Sequence, residues 1–229
     1  MFAELSKIMD YSIEHGHYID SLAQNVFSKK SADGIRQTGT FLKKLYSFDN
    51  QYNSFIAFKY FWSISEIKER PLIAFLYAIN HDDLLAESLQ VVNKVNLGEK
   101  AAIEYFEENI EKYHPSKYTE KTRKSLAQNI ASSWKQASFI EGKVKNIRVS
   151  REVTYRVACF AFLLAYLKGD RGEFIWNSIG VKSLLLSEHM LRELAVEAAK
   201  RDLMQYQFAG SVTSILFNNL LNKLGIDGI

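Results

Sequence analysis

"TEKTRKSLAQNIASSWKQASFIEGKVKNIRVS", Thr119 to Ser150, changes its period part-way along. Up to about Phe139 the apolar residues Leu126, Ile130, Trp134 and Ala137 recur at helical spacing, with Ser116 or Thr119 placed to cap the start. From Gly142 onward the β-favouring Val144, Ile147 and Val149 stand beside Asn146, which suits a short hairpin. A helix that runs into a basic hairpin is the ending of a winged helix. The stretch therefore decides between a plain helical bundle and one that carries such an element.

Outside it, helical periodicity prevails. Ile19, Leu22, Ala23, Val26 and Phe27 form one stripe, and Ile35, Thr38, Phe41, Leu42 and Leu45 a second, with Asp33-Gly34 as punctuation between them. Asp49 is expected to cap a third helix through Trp62, and Ser65 a fourth, with Pro71 as a kink or boundary. Leu84–Val95 and Glu99–Tyr113 read as further helices, as do Arg151–Leu167, Gly172–Ser178, Ser187–Met204 and Phe208–Leu224. The expected fold is mainly α: a multi-helix bundle with a helix-turn-helix/winged-helix-like element and one short β-hairpin. His114-Pro115 is the expected junction. It divides residues 1–114 from 115–229, either as two helical subdomains or as a bend in one continuous domain.

With 229 residues the chain can bury a sizeable core, and only two prolines and 11 glycines favour long helices over loop-rich folds. The single cysteine, Cys159, can form no internal disulfide, which fits a reducing compartment. Its longest apolar run, Val157–Leu167, has 11 residues against the roughly 20 that span a bilayer. No basic-then-apolar leader opens the chain. A cytoplasmic protein without a membrane partner is expected.

Charge is unevenly distributed. Lys112–Arg156 holds 11 Lys/Arg against 3 Asp/Glu, a net +8, so the rest of the chain carries −5 of the overall +3. Just upstream, Asn80–Glu111 has 8 acidic residues against 2 lysines, a net −6. Such asymmetry argues for an electrostatically polarised molecule.

Motifs for chemistry are weak. His15-Gly-His17, near Glu14 and Asp20, lacks a recognised metal spacing, and no HExxH or cysteine-rich pattern occurs. His81-Asp82-Asp83 is similar to the His-Asp pair of metal-dependent phosphohydrolases, which would have to recruit His17 and Asp170 or Asp202. Gly169-Asp-Arg-Gly172 lacks the strand, spacing and Lys-Ser/Thr of a P-loop. Cys159 lies among Phe160, Phe162 and Leu163, where burial would leave it inert, and no GxSxG marks a nucleophilic serine. No catalytic residue, metal or cofactor is expected. Tyr46–Trp62 holds eight aromatic residues in 17 positions, but only Lys59 adds charge. Phe55, Phe58 and Trp62 share a helix face, so core packing is expected over base stacking, with a protein-docking surface as the alternative.

The basic segment is more specific. On a helical wheel, Lys121, Lys124, Gln128, Ser132 and Lys135 share one face, opposite Leu126, Ile130, Trp134 and Ala137. Long cationic donors suit phosphates, and an amide can read adenine. Arg123 falls on the apolar side, where its head could snorkel out at the helix start. Lys143, Lys145 and Arg148 would be phosphate contacts of the wing, and Arg151 would follow at the next helix start. With six phosphates neutralised, log affinity would fall with log salt at a slope of roughly −5, and backbone contacts would keep sequence preference modest.

"YHPSKYTEKTRKSLAQNIASSWKQASFIEG", Tyr113–Gly142, resembles the BrxA-like family of BREX phage-resistance systems. The likeness lies in a His-Pro junction, a Thr/Arg-bearing helix and a short turn with a hydrophobic approach. "FAFLLAYL" and "YQFAGSVTSILFNNLL" continue it, so that it extends from Tyr113 to about Leu221, roughly half the chain. In the first half only the spacing of helices and "KKSADGIRQTGTFLKKLYSFD" agree, so that half departs from the pattern. The resemblance implies a helical, partly winged-helix protein that binds double-stranded DNA beside a methyltransferase and ATPases of a defence cluster. It transfers no catalytic residue. A non-enzymatic DNA-binding accessory is thus expected; a protein-interaction scaffold without DNA contact is the alternative, and the phosphohydrolase a minor one.

Overall fold

The computed structural model describes residues 1–16, 18–142, 145–210 and 212–227. The chain is mainly helical. α1 (Phe2–His15) buries Leu5, Ile8, Met9 and Ser12 and stops where Gly16 turns left-handed at φ 76°. α2 (Tyr18–Ala23) is short, because Asn25 at φ 51° and Ser28 at φ 60° turn the chain out of the helix before the stripe reaches Phe27. α3 (Ala32–Tyr46) begins at Ser31, whose hydroxyl accepts from the Gly34 N–H, so Asp33-Gly34 lies in its first turn and not between helices.

α4 (Asn53–Ile64) ends at Ser65, and α5 (Arg70–Ile79) has Pro71 in its first turn, where the missing N–H has no helical partner to lose. Pro71 is therefore a boundary, not a kink, and Ser65 closes a helix where it was expected to open one. The Leu84–Val95 pattern divides at Ser88 into α6 (Asp83–Glu87) and α7 (Leu89–Lys94). α8 (Ile103–Tyr113) and α9 (Glu120–Gln136) follow, the latter capped by Thr119, whose hydroxyl accepts from the Thr122 N–H.

β1 (Ile140–Glu141) and β2 (Ile147–Arg148) pair antiparallel, Ile140 opposite Arg148. Downstream lie α10 (Tyr155–Leu167), α11 (Phe174–Asn177), α12 (Ile179–Lys182) and α13 (Glu188–Ala199). The expected helix Phe208–Leu224 is absent. β3 (Gln205–Ala209) and β4 (Val212–Leu216) form a second hairpin there, and only α14 (Asn218–Leu224) is helical. Val212–Leu216 alternates between exposed and buried positions, the period of a strand, and Gly210 supplies a positive φ at the turn.

α10 is the axis of the core. Every residue from Val157 to Tyr166 is buried, and the helix packs against α4, α5, α12 and α13. The aromatic run behaves as core. Tyr46, Phe48, Phe55, Phe58, Phe61 and Trp62 are buried, and the Phe61 ring lies 5.2 Å from that of Phe160. Each such ring contributes about 2 kcal/mol or more by leaving water. One contiguous core includes buried residues from both sides of His114-Pro115, and α8 packs directly on α9 across that junction. Among the described residues no helix is long and apolar enough to cross a membrane.

Candidate nucleic-acid interface

α9 is fixed from beneath by Trp134. Its indole packs on Phe75, with centroids 4.7 Å apart, and donates to the Ser88 hydroxyl at 2.8 Å. The buried residues of α9 are Ala127, Ile130, Ala131 and Trp134, while Leu126 is only half-buried. The helix is thus rolled relative to the expected face: two alanines allow closer approach than a leucine, so they take the inner positions. The outer face consequently gains Ser125, Asn129 and Gln136, all exposed, which the hydrophobic pattern did not single out.

Lys121, Lys124, Gln128 and Ser132 are exposed on that outer face as expected. Lys135 lies on the same side but is half-buried where α9 meets the hairpin. It lines a groove of about 480 Å3 together with Ser138, Glu141, Gly142 and Ser150. Arg123 does not reach outward. Its guanidinium pairs with Glu111 of α8 at 2.5 Å, and Glu111 also accepts from the Ser116 N–H, so this pair braces the turn between the two helices. The hydrogen bonds from Ser116 and Arg123, with the charge of Arg123, hold the Glu111 carboxyl below the usual carboxylate range.

The hairpin is tied on both sides. Beyond the β1 pairing, Arg148 N–H donates to Glu99 O and Gly98 N–H to Arg148 O, each at 2.8 Å. Ala101 N–H donates to Asn146 O, and Lys100 bridges to Ile147. β2 therefore lies between β1 and the segment 98–101, which it meets through the isolated Lys100–Ile147 bridge and three backbone hydrogen bonds. Chain order is bridging segment, α8, α9, hairpin, and the last strand lies beside that segment. This order of helices and hairpin resembles that of a winged helix, with α9 as its second helix.

Two expected DNA contacts, Arg148 on the hairpin and Arg151 beyond it, are engaged within the protein. Arg148 is only 7% exposed; its guanidinium donates to the Phe139 carbonyl at 3.2 Å and to that of Val149. Burial pushes its pKa down, without a carboxylate beside it to compensate. Arg151 donates to Ala137 O at 2.6 Å and Lys68 O at 2.8 Å, binding the hairpin exit to the loop before α5. Arg156 is likewise internal, paired with Glu69 at 2.9 Å and Glu66 at 2.6 Å. Arginine's fork fits backbone carbonyls and carboxylates alike, and sequence alone does not distinguish those from phosphates. Lys145 is exposed, and Lys143 lies outside the described residues. Lys121, Lys124 and Lys145 form no ion pair among the described residues.

Among the described residues the other candidate chemistry does not assemble. His81 stacks on Tyr77 at 4.3 Å and bonds to that residue's carbonyl through Nδ1 at 2.7 Å, while Asp82 caps α6 by accepting from Leu85 N–H. Among the described residues no group of three His, Cys, Asp or Glu side chains could hold a metal; His17 lies outside them. Cys159 is fully buried and its thiol is pushed up by desolvation. Arg171, between Gly169 and Gly172, lies 3.6 Å over the Tyr166 ring and donates to that residue's carbonyl.

Comparison of the chain with protein-family models, with curated proteins and with solved structures returns no match in any of the three.

Proposed function

We propose that the protein is a non-enzymatic, double-stranded DNA-binding accessory of a bacterial phage-defence system of BREX type. It acts in the cytoplasm beside a methyltransferase and ATPases and needs no cofactor. The observation that carries the DNA reading is the exposed Lys121, Lys124, Gln128 and Ser132 face of α9, on the second helix of a winged-helix-like unit. Cations with no internal partner are available to phosphates at no cost in broken ion pairs. Glu104 and Glu108 are exposed on neighbouring α8, so a duplex is steered away from α8 and towards α9. The pathway rests on the residue likeness over Tyr113–Leu221 alone, and a BREX-type methyltransferase gene beside this one would support it.

The test is duplex binding by a K121E/K124E/K145E variant, all three positions being exposed. At moderate salt the expected loss is at least about tenfold. Unchanged binding by the folded variant removes this interface.

A second reading is a protein-interaction scaffold without DNA contact. The aromatic run that would have served it is core, but Phe174 at 74%, Val212 at 67% and Phe208 at 49% exposure leave apolar surface near the second hairpin. A partner retained from the native host after nuclease treatment, with no duplex binding by the free protein, favours the scaffold.

A further inference from the structure

We infer that α9 reads base edges in the major groove, with Gln128 as the specificity-determining residue and an adenine-containing base pair as its target. This rests on the DNA reading above and goes further: the protein would discriminate between sequences, whereas backbone contacts alone would grip any duplex.

The reason is what the fold removes from the surface and what it turns outward. Arg123, Arg148 and Arg151 are engaged by Glu111 and by backbone carbonyls, so the phosphate-directed charge is smaller than composition implies. Along the middle of the outer face run Lys121, Ser125, Gln128 and Ser132, separated by four, three and four residues and all exposed. Only the first carries charge. The line is about 16 Å long, the length of roughly five base pairs at 3.4 Å each.

Neutral hydroxyls and amides add little to phosphate attraction but are the groups that recognise bases. A glutamine amide pairs with adenine by accepting from N6 and donating to N7, while serine adapts to either donor or acceptor. Gln128 occupies the middle of this line, and its amide makes no side-chain hydrogen bond among the described residues, so binding DNA breaks none. Lys124 and Lys135 lie along one edge of the same helix, and at its C-terminal end Lys135 borders the hairpin through the groove at Glu141 and Gly142. A duplex held along that edge presents its groove to Gln128.

The experiment selects from a pool of duplexes with a randomised core at about 150 mM salt, then compares the enriched duplex with a scrambled one. The enriched duplex should contain a fixed adenine and bind at least about tenfold tighter than the scrambled one, within the range of a good bidentate contact. Q128A should reduce that ratio at least about fivefold. The residue is exposed, so the variant folds; a matching melting temperature checks this. Retention of the pool without enrichment, or an enrichment that Q128A leaves intact, overturns the inference while the DNA reading stands. Failure of the wild-type protein to retain any duplex overturns both.

Discussion

The guanidinium of Arg148 donates to the Phe139 carbonyl at 3.2 Å and lies 5.5 Å over the ring of the same residue. It thus secures the base of the hairpin to the end of α9 from within. R148A should cost about 2 kcal/mol of stability, since the Val149 carbonyl loses the guanidinium and the Phe139 carbonyl keeps only the Val149 N–H. R148K should recover little of that, because an ammonium lacks the planar fork. Denaturant titration reads both, and duplex affinity of the folded variants should stay within about twofold of wild type. A loss of binding at unchanged stability would return Arg148 to the interface.

The proposed phosphate contact by Lys121, Lys124 and Lys145 predicts a definite salt dependence. The slope of log affinity against log salt should be about −3, shallower than the −5 of six contacts, and each Lys→Ala substitution should reduce it by about one. Titrations at four salt concentrations are enough to separate the two values.

Glu4 provides a pH test of the α1 anchorage. Its carboxylate accepts from Lys29 Nζ at 2.6 Å, and that bond holds its pKa down from 4.5 to about 2. The unfolded chain titrates at the ordinary value, so this stabilisation is complete above pH 4.5 and lost as pH falls through about 2. Partial exposure limits it to about 1 kcal/mol. E4Q should therefore melt about 3 °C below wild type at pH 7 and alongside it near pH 2. An equal difference at both pH values would place the effect elsewhere.

Gly172 holds the second hairpin close. It has φ 54°, and a Cβ there would lie 2.9 Å from the Thr213 carbonyl oxygen, a backbone atom that cannot step aside. G172A should cost about 3 kcal/mol, from strain plus displacement of β4. G210A, with φ 63° and open space around it, should cost about 1 kcal/mol. Equal melting temperatures for the two variants would contradict this ordering.

How far the fold was legible in the sequence can be traced residue by residue. Thr119 as a cap, the helix to Gln136 and the hairpin beyond it follow from local signals: a hydroxyl before an acidic first turn, a 3.6 period, then β-branched residues around Gly142 and Asn146. The roll of α9 was not legible, because Leu126 outweighs Ala127 on any hydrophobic scale, while the small side chain wins where two backbones approach closely. The expected helix Phe208–Leu224 follows from Val212, Ile215 and Leu216, which fit spacings of three and four, whereas the strand buries Thr213 and Ile215 instead; Gly210 is the stronger signal. The interface was half legible. Lys121, Lys124 and Gln128 could be placed by helical geometry, whereas Arg148 and Arg151 answer to carbonyls of Phe139, Ala137 and Lys68, whose positions only the folded chain determines. The bridging segment at residues 98–101 carries no β signal of its own and is recruited by β2.

The pairing of Gly98 N–H with Arg148 O, at 2.8 Å, brings the entrance and exit of the whole helix-and-hairpin unit side by side. Such a unit behaves as a cassette. The chain leaves the bundle and returns to it at almost the same point, so changes to the outer face of α9 or to the hairpin tip need not propagate into the path of α7 or α10. Substitutions can thus accumulate at the exposed Ser125, Gln128 and Ser132 while Trp134, Arg148 and Arg151 keep the cassette seated. The outward face of the unit can change its chemistry without refolding the protein that carries it.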